Sequence, residues 1–284
     1  MRVHHLNCGT MRPLGGRLID GQGGLLRAGR IVCHCLLVET DDAGLVLVDA
    51  GFSTAAVAEP KRLIDRRVSS LVRPALTTAE TALHQVRALG YQPEDVRHIV
   101  LTHLDFDHCL GITDFPWAKI HVSEAELAAA RKPVTRFERD RYANVPWSAE
   151  PDWVPLSPGG DAWFGFDSVR ELAGLPTGFV VLPLAGHTRG HVAVAVDTGD
   201  THENGPRWLL HAGDGFFFHG QIDQDKPWSP PMIRLFEYIV DADPTTRLAN
   251  TERLRELAGS SEVDIVCAHD AYTYDLVTSR NMVQ

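Results

Sequence analysis

Apolar residues recur along the chain with two different spacings. VCHCLLVET (residues 32–40) and LVLVDAGF (residues 45–52) are β-rich runs around the turn-forming DDAG, and they predict a hairpin that ends at Asp49. Residues 77–90 change to helical spacing, with Thr77 and Glu80 placed as a capping box and Gly90 placed to end the helix. RHIVLTH (97–103) and KIHVS (119–123) predict two short strands. Ser123 and Glu126 make a second capping box before an alanine-rich helix that reaches about Arg131. Strands recur at FVVLPLAG (179–186), HVAVAVD (191–197), RWLLHAGD (207–214) and VDIVCAH (263–269). Asp243 before Pro244 is an N-cap and first-turn pair for a helix over 244–258.

Between these elements, residues 132–167 keep no clean period and are rich in aromatic residues: Phe137, Tyr142, Trp147, Trp153, Trp163 and Phe164. So long an irregular stretch reads either as a cap over a site or as a set of rings covering a core edge. No internal repeat or low-complexity linker divides the chain, and its 284 residues are read as one α/β domain, 1–284.

Composition narrows the classes. With 44% hydrophobic and 23% charged residues, and no apolar run near the roughly 20 residues of a membrane helix, the chain reads as globular and not membrane-spanning. The start MRVHHLNCGT lacks the pattern of a secretory signal, so a cytoplasmic location is expected. A formal net charge of −10 argues against a nucleic-acid partner. The basic residues within RLIDRR (62–67) read as the solvated side of a helix. Cys33 and Cys35 in a strand, within an odd total of five cysteines, predict buried thiols and no disulfide framework.

The chemistry concentrates after the strand 97–103. LTHLDFDHCLG puts His103, Asp105, Asp107 and His108 within six residues. Three further apolar strands end in a polar residue, at His187, Asp214 and His269. Residues emitted from the ends of several strands converge at one edge of a sheet, where α/β proteins place their sites. Imidazoles and carboxylates together suit zinc, and also iron or manganese.

The run of Asp49, H-x-D-x-D-H, G-H-T-x-G-H, A-G-D and a final histidine resembles the metallo-β-lactamase superfamily over roughly residues 32–270. The resemblance implies a four-layer αβ/βα sandwich of two mixed β-sheets flanked by helices. It implies two divalent metal ions, one held by His103, Asp105 and His187, the other by Asp107, His108 and His269, with Asp214 bridging. Asp49 would steady the metal-binding loop, and His191 would be structural. The implied reaction is hydrolysis of a small ester-like or lactone carbonyl by a metal-bridging hydroxide, which Asp107 would help to orient.

Family members that hydrolyse acyl homoserine lactones look nearest. Some of them carry a tyrosine three residues after the bridging aspartate, where this chain has Phe217; Tyr272 or Tyr274 is the expected substitute, and His219 the further pocket residue. Asp105 stands where the superfamily usually has histidine, which weakens the expectation of zinc in favour of iron or manganese. Hydrolysis of a β-lactam, thioester or phosphodiester remains open, as does a dinuclear iron redox or metal-binding protein. The expected partner is a small-molecule substrate, with a homodimer left open. His4, His5, His34, His121 and His211, like Cys109, are read as packed or surface side chains.

Overall fold

The computed structural model describes residues 1–157, 159–166, 172, 174–199 and 207–281. Among these, ten strands form two sheets. The first contains β1 (Arg2–Met11), β2 (Ile31–Glu39), β3 (Leu45–Val48), β4 (Val96–Val100), β5 (Lys119–Ser123) and β6 (Asp152–Leu156), side by side in chain order. The second contains β7 (Phe179–Pro183), β8 (Val192–Asp197), β9 (Trp208–His211) and β10 (Val263–Val266). Both sheets are mixed: β1 to β3 are antiparallel and β3 to β6 parallel, while β7 to β9 are antiparallel and β10 pairs with β9 in parallel.

Side-chain alternation along the strands produces the layers. Leu36, Val38, Val46, Val48 and Val100 turn from the first sheet onto Phe179, Val181, Val194 and Val196 of the second. Their neighbours Cys35, Leu37, Leu47 and Ile99 face the other way, onto Ala82 and Val86 of the helix Ala82–Ala88 and Leu127 of the helix Glu124–Arg131. On the far side of the second sheet, Val180, Leu182, Ala193 and Ala195 meet Leu254 and Leu257 of the helix Pro244–Leu257. This is the expected αβ/βα sandwich. Strands covered on both faces need no polar alternation, which is why their sequences read as continuous apolar runs.

The hairpin forms as predicted, with Leu36 opposite Val48 and Glu39 opposite Leu45. Asp243 caps its helix through the backbone N–H groups of Thr245 and Thr246. All five cysteines are buried free thiols. Two capping expectations fail. Thr81, not Thr77, caps the helix Ala82–Ala88, because Glu80 accepts the Thr10 hydroxyl from β1 instead. Ser123 makes no cap bond, and Glu126 is fully buried with other partners.

Among the elements the sequence did not announce are the strands β1 and β6 and the helices Pro231–Val240 and Ala271–Asn281. Both strands are sheet edges, where polar residues such as His4 and a proline such as Pro155 interrupt the apolar run without a lost ladder bond. Within residues 132–167, of which positions 158 and 167 lie outside the described residues, Thr135 and Glu138 form a capping box for a helix, Arg136–Arg141. Tyr142, Trp147 and Trp153 then pack on the first core, and Trp163 on the outer core of the second sheet, while Phe137 and Phe164 are exposed. Among the described residues no helix is long and apolar enough to cross a membrane.

Candidate metal centre

Strand ends from both sheets bring the donors together. Asp49 follows β3, His103 follows β4, and a single turn, Phe106–Cys109, carries Asp107 and His108. His187 lies on the β7–β8 loop, Asp214 follows β9 and His269 follows β10. Asp49 holds a left-handed φ of 57°, a conformation aspartate tolerates better than most residues. From there its carboxylate accepts the Thr102 N–H at 2.8 Å and the Thr102 hydroxyl at 2.9 Å, and lies 2.8 Å from His108 Nδ1.

Asp214 divides the donors into two sets. Its Oδ2 lies 3.8 Å from His103 Nε2 and 3.3 Å from His187 Nε2, and Asp105 Oδ2 closes that set at 3.4 Å and 3.1 Å from the same two nitrogens. Its Oδ1 lies 3.3 Å from His108 Nε2 and 3.2 Å from His269 Nε2. Asp107 joins them, at 4.0 Å from His108 and 3.6 Å from His269. The seven residues named from the sequence are therefore brought together around Asp214.

The imidazoles are oriented for this arrangement. His103 Nδ1 lies 3.0 Å from the Thr102 hydroxyl, His108 Nδ1 faces Asp49, His187 Nδ1 is 3.3 Å from Asp241 Oδ1, and His269 Nδ1 is 2.8 Å from the Val32 carbonyl. Each ring thus spends Nδ1 on the protein and turns Nε2 to the centre, as metal-binding histidines do. Buried His103 Nε2, His108 Nε2 and Asp214 Oδ1 have no hydrogen-bond partner. Leaving such atoms unpaired is costly, and two divalent cations would satisfy them. The residues fit the group.

Electrostatics agree. Burial lowers His187, but Asp214, Asp105 and Asp241 together outweigh it and raise the imidazole to about 9. Burial raises Asp214, yet His269, His108 and His187 hold it well below the usual carboxylate range. The centre is built to keep carboxylates ionised around positive charge.

Several groups were missed from the sequence. Glu126 accepts from Leu104 N (3.1 Å), Tyr142 OH (3.1 Å), Thr188 Oγ1 (2.6 Å) and Gly190 N (3.0 Å), so it joins the His103 loop to the His187 loop. Asp241 stands behind His187 and is itself held by Arg247 Nε at 2.6 Å. Arg141 contacts Asp105. Cys33, read as a packed thiol, lies within 4.8 Å of donor atoms of Asp107 and His269. These partners are distant in sequence, and no local pattern marks them.

His191 places Nδ1 3.0 Å from the Leu184 carbonyl and accepts the Asp214 N–H at Nε2, so it supports the bridging aspartate from behind. Gly213 makes that close approach feasible: its φ is +52°, and a Cβ there would stand 2.6 Å from His191 Nε2. Cys109 points its thiol at the Leu104 carbonyl. His4 pairs with Glu39, His5 with His34 and His98 with His121, while His211 bonds the His34 carbonyl.

Beside His269 opens a cavity of about 110 Å³, lined among others by Ile19, Ile31, Phe217, Ile233 and Tyr272. Phe217 stacks on His269 with ring centroids 4.9 Å apart. His219 sits next to the cavity, its Nδ1 3.0 Å from Asp270 Oδ2 and its ring 4.5 Å from that of Tyr272. Tyr274 does not line the cavity; its ring packs 5.2 Å from His34. Two residues on a helix lie about 200° apart, so Tyr272 and Tyr274 cannot both face the site.

The family profile described as Metallo-beta-lactamase superfamily matches residues 28–269. The chain belongs to this superfamily. A Mycobacterium tuberculosis protein named "Probable metallo-hydrolase" is 44% identical over 279 residues, covering 97% of this chain and 82% of that protein. An N-acyl homoserine lactonase of Bacillus thuringiensis is 24% identical over 236 residues, covering 83% of this chain and 80% of that protein. A solved structure of an N-acyl homoserine lactone hydrolase with bound N-hexanoyl-L-homoserine shares the fold, with a TM-score of 0.68 at 20% identity, covering 96% and 94% of the two chains. The chain is a metal-dependent hydrolase of the metallo-beta-lactamase fold.

Proposed function

We propose that the protein is a dinuclear zinc lactonase that opens a small lactone or ester carbonyl carrying an apolar tail, with acyl homoserine lactones as the leading substrate class. The observation that carries this reading is the split of Asp214 between two donor sets beside a cavity that has an apolar wall of Ile19, Phe217 and Ile233 facing a polar, charged rim. Two divalent cations held there would supply Lewis acidity and a water of lowered pKa. Around them the protein orients and excludes. Asp49 and Asp241 fix the rings of His108 and His187. Ile19, Phe217 and Ile233 offer a dry wall for an acyl tail. Asp107, on the rim of its donor set, is placed to orient a water.

The lactonase names among the relatives favour this class over β-lactams and thioesters. A phosphodiester finds little help in the cavity, since Arg27 and Arg30 are held by Asp20 and Asp275. Five buried free thiols accord with a reducing compartment, the cytoplasm.

The test is turnover by zinc-loaded protein of N-hexanoyl homoserine lactone, nitrocefin, an acyl thioester and bis(p-nitrophenyl) phosphate, each assayed before and after chelation. Lactone opening that chelation abolishes and zinc restores is the expected result. Turnover of another substrate with none of the lactone overturns the substrate class, and oxygen consumption by an iron-loaded protein that hydrolyses nothing overturns the hydrolytic reading.

A further inference from the structure

Arg141, the last residue of the helix Arg136–Arg141, belongs to none of the motifs that announce the metal centre. Its side chain is nonetheless only 6% exposed and lies against the first donor set. Nε stands 2.9 Å from Asp105 Oδ1, Nη1 donates to the His187 carbonyl at 2.8 Å, and Nη2 donates to the Val240 carbonyl at 2.7 Å. Nη2 also comes within 3.4 Å of His187 Nε2. The Oδ1 contact is an ion pair without hydrogen-bond geometry, so the guanidinium charge sits at Oδ1 while Oδ2 faces His103 and His187.

The charges explain why such a residue is needed. Asp105 adds a third carboxylate to a buried cluster that already contains Asp107 and Asp214. A guanidinium stays charged in any protein setting, so Arg141 cancels the added charge without taking a donor position. Arg141 without Asp105 would be a buried cation beside the metal ions, which is strongly unfavourable.

We propose that Asp105 and Arg141 act as one neutral ligand unit, in which Arg141 is a positioning residue whose charge lies at Oδ1 and favours donation from Oδ2. The pair returns the centre to the charge it would have with histidine at position 105. This rests on the metal-binding reading of the donor sets. It also reverses the simple expectation from the sequence: histidine at 105 alone does not improve zinc binding, since it leaves Arg141 buried without its partner. The argument from Asp105 towards iron or manganese loses its force for the same reason.

A double-mutant cycle tests the pairing. Wild type, Arg141→Gln, Asp105→His and the double variant are compared by zinc per chain and by zinc dissociation constants from chelator competition. The melting midpoint of each metal-free protein reports on folding. Each single change is expected to weaken zinc binding about 10–100-fold, and the double variant to recover most of that loss. A double variant weaker than either single change, with losses that simply multiply, overturns the pairing and leaves Arg141 as a tether for the two carbonyls. Arg141→Lys gives an independent check, because it keeps the charge and loses the fork: an affinity between wild type and Arg141→Gln is expected, and one equal to Arg141→Gln refutes charge compensation. Wild type that binds no zinc overturns both this proposal and the metal reading, whereas zinc-binding wild type with multiplicative losses overturns this proposal alone.

Discussion

Glu126 is fully buried, and it accepts four hydrogen bonds from donors on three separate segments. Replacing it with glutamine keeps the shape but turns one acceptor into a donor. The hydroxyls of Tyr142 and Thr188 can rotate to accept from the new amide. The backbone N–H groups of Leu104 and Gly190 cannot. Whichever way the amide sits, one of these N–H groups is left buried and unpaired, at about 1–3 kcal/mol. The other bonds fall from the charge-assisted range to the neutral one, about 1 kcal/mol each, and cheaper burial of a neutral group offsets part of the sum. A net destabilisation of about 2–4 kcal/mol is expected, a large share of the roughly 5–15 kcal/mol typical of a folded domain. Urea unfolding of the metal-free protein measures it, and elemental analysis should show zinc lost in parallel, because Leu104 lies between His103 and Asp105. Thr188→Val removes only the 2.6 Å bond and should cost less, about 1.5–3 kcal/mol. A Glu126→Gln protein within about 0.5 kcal/mol of wild type and with full zinc content would refute the role given to this carboxylate.

The remaining predictions concern pH and backbone. Burial, and then the neighbouring His98, lower His121 to about 4, so the unfolded chain takes up a proton near 6.5 that the folded chain refuses until about 4. The stability contributed by neutral His121 is therefore complete above pH 6.5 and lost as pH falls to 4, about 3 kcal/mol in all. His121→Leu should flatten the acid limb of metal-free stability by that amount, measured from urea midpoints at pH 7 and pH 4; an unchanged slope counts against it. Gly213→Ala should cost more than about 2 kcal/mol and deplete zinc, since the new methyl meets His191 Nε2 at 2.6 Å and Thr102 Cβ at 2.9 Å at a left-handed φ. A variant that melts with wild type and keeps its zinc would show that the loop yields.

The donors were legible because each is a local event, a polar residue ending an apolar strand. Asp49, His103, Asp214 and His269 announce themselves within a few residues. Glu126, Arg141 and Asp241 do not, because what they do depends on partners far along the chain: Glu126 reads as a helix-capping residue until Thr188 and Gly190 are beside it. Central strands were read from apolar runs covered on both faces, whereas the edge strands β1 and β6 carry the polar residues that an open edge permits. The two tyrosines offered as replacements at Phe217 could be separated only once a helix placed them on different faces.

One consequence follows from where the donors originate. His103, Asp105, Asp107 and His108 hang from the first sheet, and His187, Asp214 and His269 from the second. An ion held between them would clasp the halves of the sandwich and make metal supply a thermodynamic variable of folding itself. Free zinc at a thousand times its Kd would add about 4 kcal/mol to the native state. Starved of metal, the protein would lose activity and persistence together, and its abundance would follow the supply of that metal.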